Sequence, residues 1–218
     1  MKKKYSKEVE KLFSYGSTDL LDVWPNYIKD INLEEKHCDE LIDVITSSDL
    51  SKAISGFTIQ DFGPRHAWRA LGQLKSKDAV TPLLDALTAQ KNEEAFDFRN
   101  ELPKVLLLIG DEIIPELQLF LNNDKIEWNF KVIIFEALVN LAKQEVAIKD
   151  VVVGVANDLF ISNTNKSIFL SRLLNLIFPL KPYDSEVIKD VIDKDKYDVA
   201  TINHEEILKF IEESKMYE

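Results

Sequence analysis

Between Gly63 and Asp124 the chain repeats one two-helix pattern, and that repetition narrows the possible folds more than any other feature. In the first copy, Ala67, Ala70, Leu71 and Leu74 recur at helical period, and Val80, Leu83, Leu84 and Leu87 form a second stripe after a short polar break. Pro64 suits the start of the first helix, Asp78 reads as the N-cap of the second, and Pro82 must fall in that helix's opening turn. A proline is tolerated there because the first four N–H groups of a helix have no intrahelical acceptor. From Phe98 the same order returns. Leu102, Val105, Leu106 and Ile109 precede Gly110 and Asp111, followed by Ile113, Ile114, Leu117, Phe120 and Leu121. Asp78 matches Asp111, and Pro82 matches Pro115, each 33 positions on.

A third, weaker copy places Ile134, Ala137, Leu138 and Leu141 on a first helix, 67 positions after Ala67, Ala70, Leu71 and Leu74. Its second helix is expected from about Glu145 to Ile161, without the proline. The first helix of this copy is apolar almost all round, the pattern of a helix buried between neighbours. Upstream, Asn32 and Glu35 read as N-cap and capping-box partner of a helix continued by Leu41, Ile42 and Ile45, and Ser48-Asp49 restarts a short helix towards Phe57. Downstream, an apolar-striped helix is expected from Lys166 to Phe178, ended by Pro179 and Pro182. Two more follow, at about Ser185–Lys194 and at His204–Ser214, the latter capped by Asn203 with Glu206 three positions on. The organisation expected is an N-terminal helical segment over 1–62, repeats over 63–162 and C-terminal helices with an acidic cap over 163–218.

Periods in the thirties built from helix pairs belong to solenoids, in which each unit hides its apolar face by stacking on the next. The run Ala67, Trp68, Arg69, Ala70, Leu71, Gly72, followed by Ala79, Val80, Thr81, Pro82, Leu83 and Leu84, resembles the short HEAT repeat, the variety also found in phycobilisome-lyase-like proteins. The resemblance covers about 60 residues well and about 120 loosely. It implies an all-α fold, a right-handed α-α superhelix of about four to five helix pairs. The residues that carry it are packing residues, so it implies no chemistry of its own.

Composition agrees with helices. Only 6 glycines and 7 prolines serve 218 residues, too few for the many turns of an all-β chain. The formal charge is −11 and the sequence pI about 4.9, which disfavours duplex nucleic acid as partner. Residues 65–183 carry 14 Lys/Arg against 15 Asp/Glu, so the acidity lies at the two ends. Cys38 is the single cysteine, which excludes an internal disulfide and a thiolate-rich metal site and fits a reducing compartment. No run approaches membrane-span length, so no membrane partner is expected and the cytoplasm is the default location.

Candidate chemistry is sparse. His37, His66 and His204 lie in three different segments, and no two stand at metal-ligand spacing. The dinuclear-iron hydroxylases that share HEAT-like repeats need several His-Glu pairs, and His204-Glu205 is a lone one. A DNA-glycosylase-like groove would draw on Trp68, Trp128, Asp97, Arg65, Arg69, Arg99 and Lys131, but the near-neutral middle of the chain lacks the concentrated positive face that phosphates demand. No phosphate loop or nucleophile motif is present, so no catalytic residue, metal ligand or cofactor is assigned. Arg65 and Arg99 begin consecutive first helices, where arginines more often bridge to carboxylates of the neighbouring repeat than read a ligand.

Among the aromatics Trp24, Tyr27, Phe57, Trp68, Phe98 and Trp128, most are expected to pack between helices. Trp128 is the exception expected, an exposed anchor in a polar, loop-like setting with Asn129. The leading reading is a non-enzymatic protein-binding module whose second helices present Asp85, Thr88, Glu116 and Gln118 to a polar or basic partner, with Trp128, Asn129, Arg65 and Arg99 as further contact residues. The alternatives are a lyase-like or other small-molecule enzyme, recognised by one deep cleft where titratable groups converge, and an acidic inhibitor or immunity-type protein covering a basic effector.

Overall fold

The structure is a computed structural model that describes residues 5–16, 23–48, 50, 58–89, 96–180, 186–194, 196–198, 200–202, 205, 207–209 and 212, the side chains of Phe96 and Asp97 excepted. Among them every regular element is helical, and no helix is long and apolar enough to cross a membrane. In chain order the α-helices are α1 Lys7–Glu10, α2 Tyr27–Ile31, α3 Cys38–Thr46, α4 Gly63–Gln73, α5 Val80–Ala89 and α6 Phe96–Ile109. They continue as α7 Ile114–Leu121, α8 Trp128–Gln144, α9 Lys149–Ser162, α10 Ser167–Ile177 and α11 Glu186–Asp193. The chain divides into two compact units, Met1–Glu116 and Leu117–Glu218. The expected divisions at 62/63 and 162/163 fall at the start of α4 and the end of α9.

The expected helices form, with one addition. Helices α3, α5, α7 and α9 are each entered through a single 3-10 turn, Glu35–His37, Lys77–Ala79, Asp111–Ile113 and Val146–Ile148. A 3-10 turn is narrower than an α turn and lets a short linker redirect the chain. Because that turn precedes α5, the N-cap position belongs to Ser76, and Asp78 sits inside the turn as an acidic first-turn residue rather than as the cap. Pro82 and Pro115 occupy the opening turns of α5 and α7, as their missing N–H requires. Pro103 is different, since α6 continues through it. The lost bond there is outweighed by burial of Leu102, Val105, Leu106 and Ile109 on one face.

The N-terminal start signal lies two residues later than the sequence pattern implies. Asn32 adopts left-handed backbone, φ 57° and ψ 43°, and ends α2 instead of starting α3. The capping box is formed by Glu34 and His37, whose Nδ1 accepts the Glu34 N–H at 2.9 Å. Asparagine serves either end of a helix because its short amide tolerates left-handed backbone as well as capping N–H groups. The restart expected from Ser48-Asp49 to Phe57 lies largely outside the described residues, as do Asn203, His204 and Glu206 of the last expected helix.

Unit 1 is organised around α4. This helix was expected to bury one stripe, yet everything from Gly63 to Gly72 is buried, because α3, α6, α2 and the N-terminal turn all pack on it. Gly72 allows a close approach by α6. A Cβ there would meet the Val105 carbonyl oxygen at 3.2 Å and the Val105 Cα at 3.3 Å, so α4 and α6 approach backbone to backbone. In unit 2, α8 packs on α10 and α9, and α9 on α11. The all-round apolarity of α8 has its consequence in the burial of Phe130, Ile134, Phe135, Ala137, Leu138, Val139, Leu141 and Ala142.

Candidate functional site

The second helices carry the concave features. In unit 1 a groove of about 330 Å³ runs beside α3 and α5, lined by Ile45, Leu50, Pro82, Asp85, Ala86 and Ala89, with Thr46 and Ser48 at its edge. In unit 2 a groove of about 300 Å³ runs beside α9 and α11, lined by Phe160, Ile161, Thr164, Glu186, Val187, Asp190, Val191 and Lys196. Each is lined largely by apolar residues, with Asp85 in the first and Glu186 and Asp190 in the second. Ile161 is 61% exposed, an unusual position for a large aliphatic side chain beside a groove.

A third concavity, about 440 Å³, is polar and surrounds Cys38 with Glu35, Lys36, Asp39, Lys75, Lys77 and Asp78. It gathers titratable groups without activating them. Burial pushes the Cys38 thiol above its usual pKa, and the hydrogen bond with Ser76 only partly opposes this, so the thiol stays protonated at neutral pH. Two of its lysines spend their charge on neighbours, Lys36 on Glu34 and Lys77 on Glu112.

Full burial of α4 obliges its polar side chains to find partners inside the unit. Glu101 of α6 accepts from Trp68 Nε1 at 2.7 Å, from Arg69 Nε at 2.7 Å and from a terminal Arg69 nitrogen. Burial works against the Arg69 charge, but the Glu101 carboxylate outweighs it and raises the guanidinium pKa. Tyr27 and His66 form a second link: the hydroxyl lies 2.7 Å from His66 Nδ1, and Nε2 lies 3.0 Å from the Gly16 carbonyl. A carbonyl only accepts, so Nε2 carries the proton and Nδ1 accepts from Tyr27. Burial lowers the His66 pKa to about 4, with Arg69 and Arg65 adding to the effect, and burial pushes Tyr27 well above its usual value. Gln73 closes the network, donating to the Pro25 carbonyl at 2.7 Å and accepting the Tyr27 N–H at 3.0 Å. The whole arrangement ties Gly16, Pro25 and Tyr27 onto α4. Its polar groups are satisfied by one another, as structural networks are.

The residues expected at the surface separate accordingly. Asp85 is exposed and lines the unit 1 groove; Glu116 is exposed, while Thr88 and Gln118 are half-buried. Arg65 is corrected: it is 1% exposed, since α4 is enclosed on all sides, and it cannot meet a partner's surface. Arg99 is half-buried on α6. Arg69 bridges to Glu101 of the neighbouring first helix. Trp68, Tyr27 and Phe98 are fully buried, and Trp68 packs against Phe98 with the rings tilted and their centroids 4.8 Å apart. Trp128 is 37% exposed, and it begins α8 rather than occupying a loop. Asn129 turns its Oδ1 to the Phe130 N–H at 3.0 Å. Of the groove imagined for a glycosylase, Trp68, Arg65 and Arg69 are core residues of unit 1, and the Asp97 side chain lies outside the described residues.

His37 and His66 are buried and hydrogen-bonded, and among the described residues no group of three or more His, Cys, Asp or Glu could hold a metal ion. Glu101, the acceptor for two α4 side chains, was missed from the sequence; its only trace there is a helix-interior acid 32 positions after Arg69. The chain matches no protein-family model, no curated protein and no solved structure.

Proposed function

We propose that this chain is a HEAT-like repeat protein that works as a non-enzymatic binding module, receiving an amphipathic helix with basic flanks in the grooves of its second helices. One observation carries the reading: a groove lined largely by apolar residues, with carboxylate among the lining, lies beside consecutive second helices in each unit. Such a groove accepts the i, i+3, i+4 face of a partner helix, and Asp85, Glu186 and Asp190 would meet Lys or Arg at the edges of that face. The formal charge of −11 favours such a partner over distance as well as in contact. Recurrent entry of second helices through a 3-10 turn, and the packing of α4 on α6 and of α8 on α10, support the superhelical arrangement that the repeat implies. An enzyme would instead gather perturbed groups at an open cleft, whereas the most perturbed groups, Tyr27 and His66, are sealed in the core and bonded to each other.

The test combines cross-linking mass spectrometry on complexes captured from native lysate with Ala86→Arg and Val187→Arg. Cross-links concentrated on α5 and α11, with capture lost in the variants because each places a cation where a basic partner docks, are the expected result. Cross-links mapping elsewhere, or variants that capture as well as wild type, would overturn the assignment. A retained metabolite with no protein partner would replace it with the small-molecule reading.

A further inference from the structure

We infer that the hydrogen-bond chain through His66 is an acid-released latch: a proton taken up at Nδ1 detaches Gly16, Pro25 and Tyr27 from α4 while the rest of unit 1 stays folded. The direction of this chain is fixed at both ends. A guanidinium only donates and a backbone carbonyl only accepts. The bonds therefore run from Arg69 to the Tyr27 oxygen, from the Tyr27 hydroxyl to His66 Nδ1 at 2.7 Å, and from Nε2 to the Gly16 carbonyl at 3.0 Å. Tyr27 and His66 are both 0% exposed, so water cannot stand in for a lost partner. The latch lies on the first helix α4 and stands or falls without the second-helix grooves.

A second ring proton has no place in this arrangement. With Nδ1 protonated, Arg69 and His66 would both donate to the Tyr27 oxygen, and the Tyr27 O–H would be buried without an acceptor. The added charge would stand beside Arg65 and Arg69 of the same helix, and Glu101 of α6 is already bonded to Arg69 and Trp68. Tyr15 of the N-terminal turn also faces His66, the two rings 5.0 Å apart. Acids on the other elements packed on α4 meet different partners. Asp30 of α2 accepts from the Asn26 N–H, Glu40 and Asp43 of α3 accept from Ser6 and Tyr5, and Asp61 of the 3-10 turn Ile59–Phe62 accepts from Thr58. Asp39 lines the polar concavity around Cys38, and Lys11, Lys29 and Lys104 are exposed. Release is local because the anchors and the core of α4 depend on different contacts. Helix α2 has five residues, with Tyr27 and Ile31 as its buried side chains, and its further tie to α4 is Gln73. The approach of Gly72 to Val105 and the bonds of Arg69 to Glu101 do not involve His66. Burial holds the closed ring to a pKa of about 4 against the ordinary 6.5, so the open form takes up the proton first. Opening thus becomes up to about 300-fold more favourable as pH falls from 6.5 to about 4.

The experiment is a pH titration of the full chain labelled with fluorotryptophan and followed by fluorine NMR, each signal assigned by replacing one tryptophan with phenylalanine. The 3 tryptophans report on different places. The Trp24 ring lies 5.1 Å from the centre of the Arg69 guanidinium and 4.3 Å from Lys104 Nζ, Trp68 sits in the core beside Glu101, and Trp128 belongs to unit 2. As pH falls below about 6.5, the Trp24 signal should move to its solvent-exposed position with a one-proton dependence, while those of Trp68 and Trp128 stay. The His66 ring Cε1–H signal should change over the same range, which ties the proton to the release. His66→Gln offers an amide acceptor and donor in the places of Nδ1 and Nε2 and cannot take up the proton, so its Trp24 signal should hold still down to about pH 4. Three signals moving together, a Trp24 signal that never moves, a Trp24 transition that does not coincide with His66, or one that persists unchanged in His66→Gln would overturn the latch. The wild-type titration decides the matter even if the variant does not fold.

Discussion

The partnership of Glu101 with α4 yields the sharpest stability prediction. Arg69 is almost fully buried and the Glu101 side chain mostly so, and the carboxylate receives two bonds from the guanidinium and one from the Trp68 indole. Glu101→Gln keeps the size and one acceptor oxygen but takes the Glu101 carboxylate charge away from the buried Arg69 cation. Removing one member of a buried pair costs about 3–5 kcal/mol, and the partial exposure of Glu101 places the expected loss near the lower end. The cation would keep its contacts with the Trp24 ring, 5.1 Å from its centre, and with Tyr27, neither of which carries a full negative charge. With a urea m-value near about 3 kcal/mol/M for a chain of this size, the midpoint of unfolding should fall by about 1 M, followed by far-ultraviolet circular dichroism. Replacing both residues, as Arg69→Met with Glu101→Leu, should recover most of the loss, because a well-packed apolar pair needs no counter-charge. A loss below about 1 kcal/mol for Glu101→Gln, or a coupling energy within about 0.5 kcal/mol of zero in the double-mutant cycle, would refute the assignment of this pair as the anchor of α4.

Two further outcomes follow from local geometry. His66 is held with a pKa of about 4, below the ordinary 6.5, so the unfolded chain takes up the proton first as pH falls. Stability from the neutral ring is therefore complete above about pH 6.5 and is lost between there and about pH 4, by up to about 3 kcal/mol; His66→Gln should flatten that part of the profile, and parallel profiles would show that the ring is not the group responsible. Lys75 ends α4 in left-handed backbone, φ 55°, with its N–H bonded to the Gly72 carbonyl and that of Ser76 to the Leu71 carbonyl. Lys75→Gly should stabilise the protein by about 0.5–1 kcal/mol, measured by thermal unfolding, since glycine takes this conformation without steric cost; a lower melting temperature would count against it.

Much of the fold was legible because its signals are local. The stripes Ala67, Ala70, Leu71 and Val80, Leu83, Leu84 predict α4 and α5, Pro64 marks the first start, and the third copy predicts α8 and α9 to within a few residues. Helical period and proline's missing donor act within one or two turns, so a single sequence displays them. Caps were less secure where two short polar residues compete: Asn32 and Glu34 could each end or begin a helix, and the packing of Tyr27 and Ile31 settled that Asn32 ends one.

What the sequence by itself determined is a chain of amphipathic helix pairs with prolines in opening turns and acidic ends. Tertiary structure alone decided which polar residues are enclosed. His66 and Arg69 are polar residues of α4 enclosed in the core, where Tyr27, Gly16 and Glu101 arrive from 39, 50 and 32 positions away. Periodicity reports which side of a helix is apolar; how many neighbours surround that helix, and whether its charges meet partners, depends on contacts that no local pattern encodes.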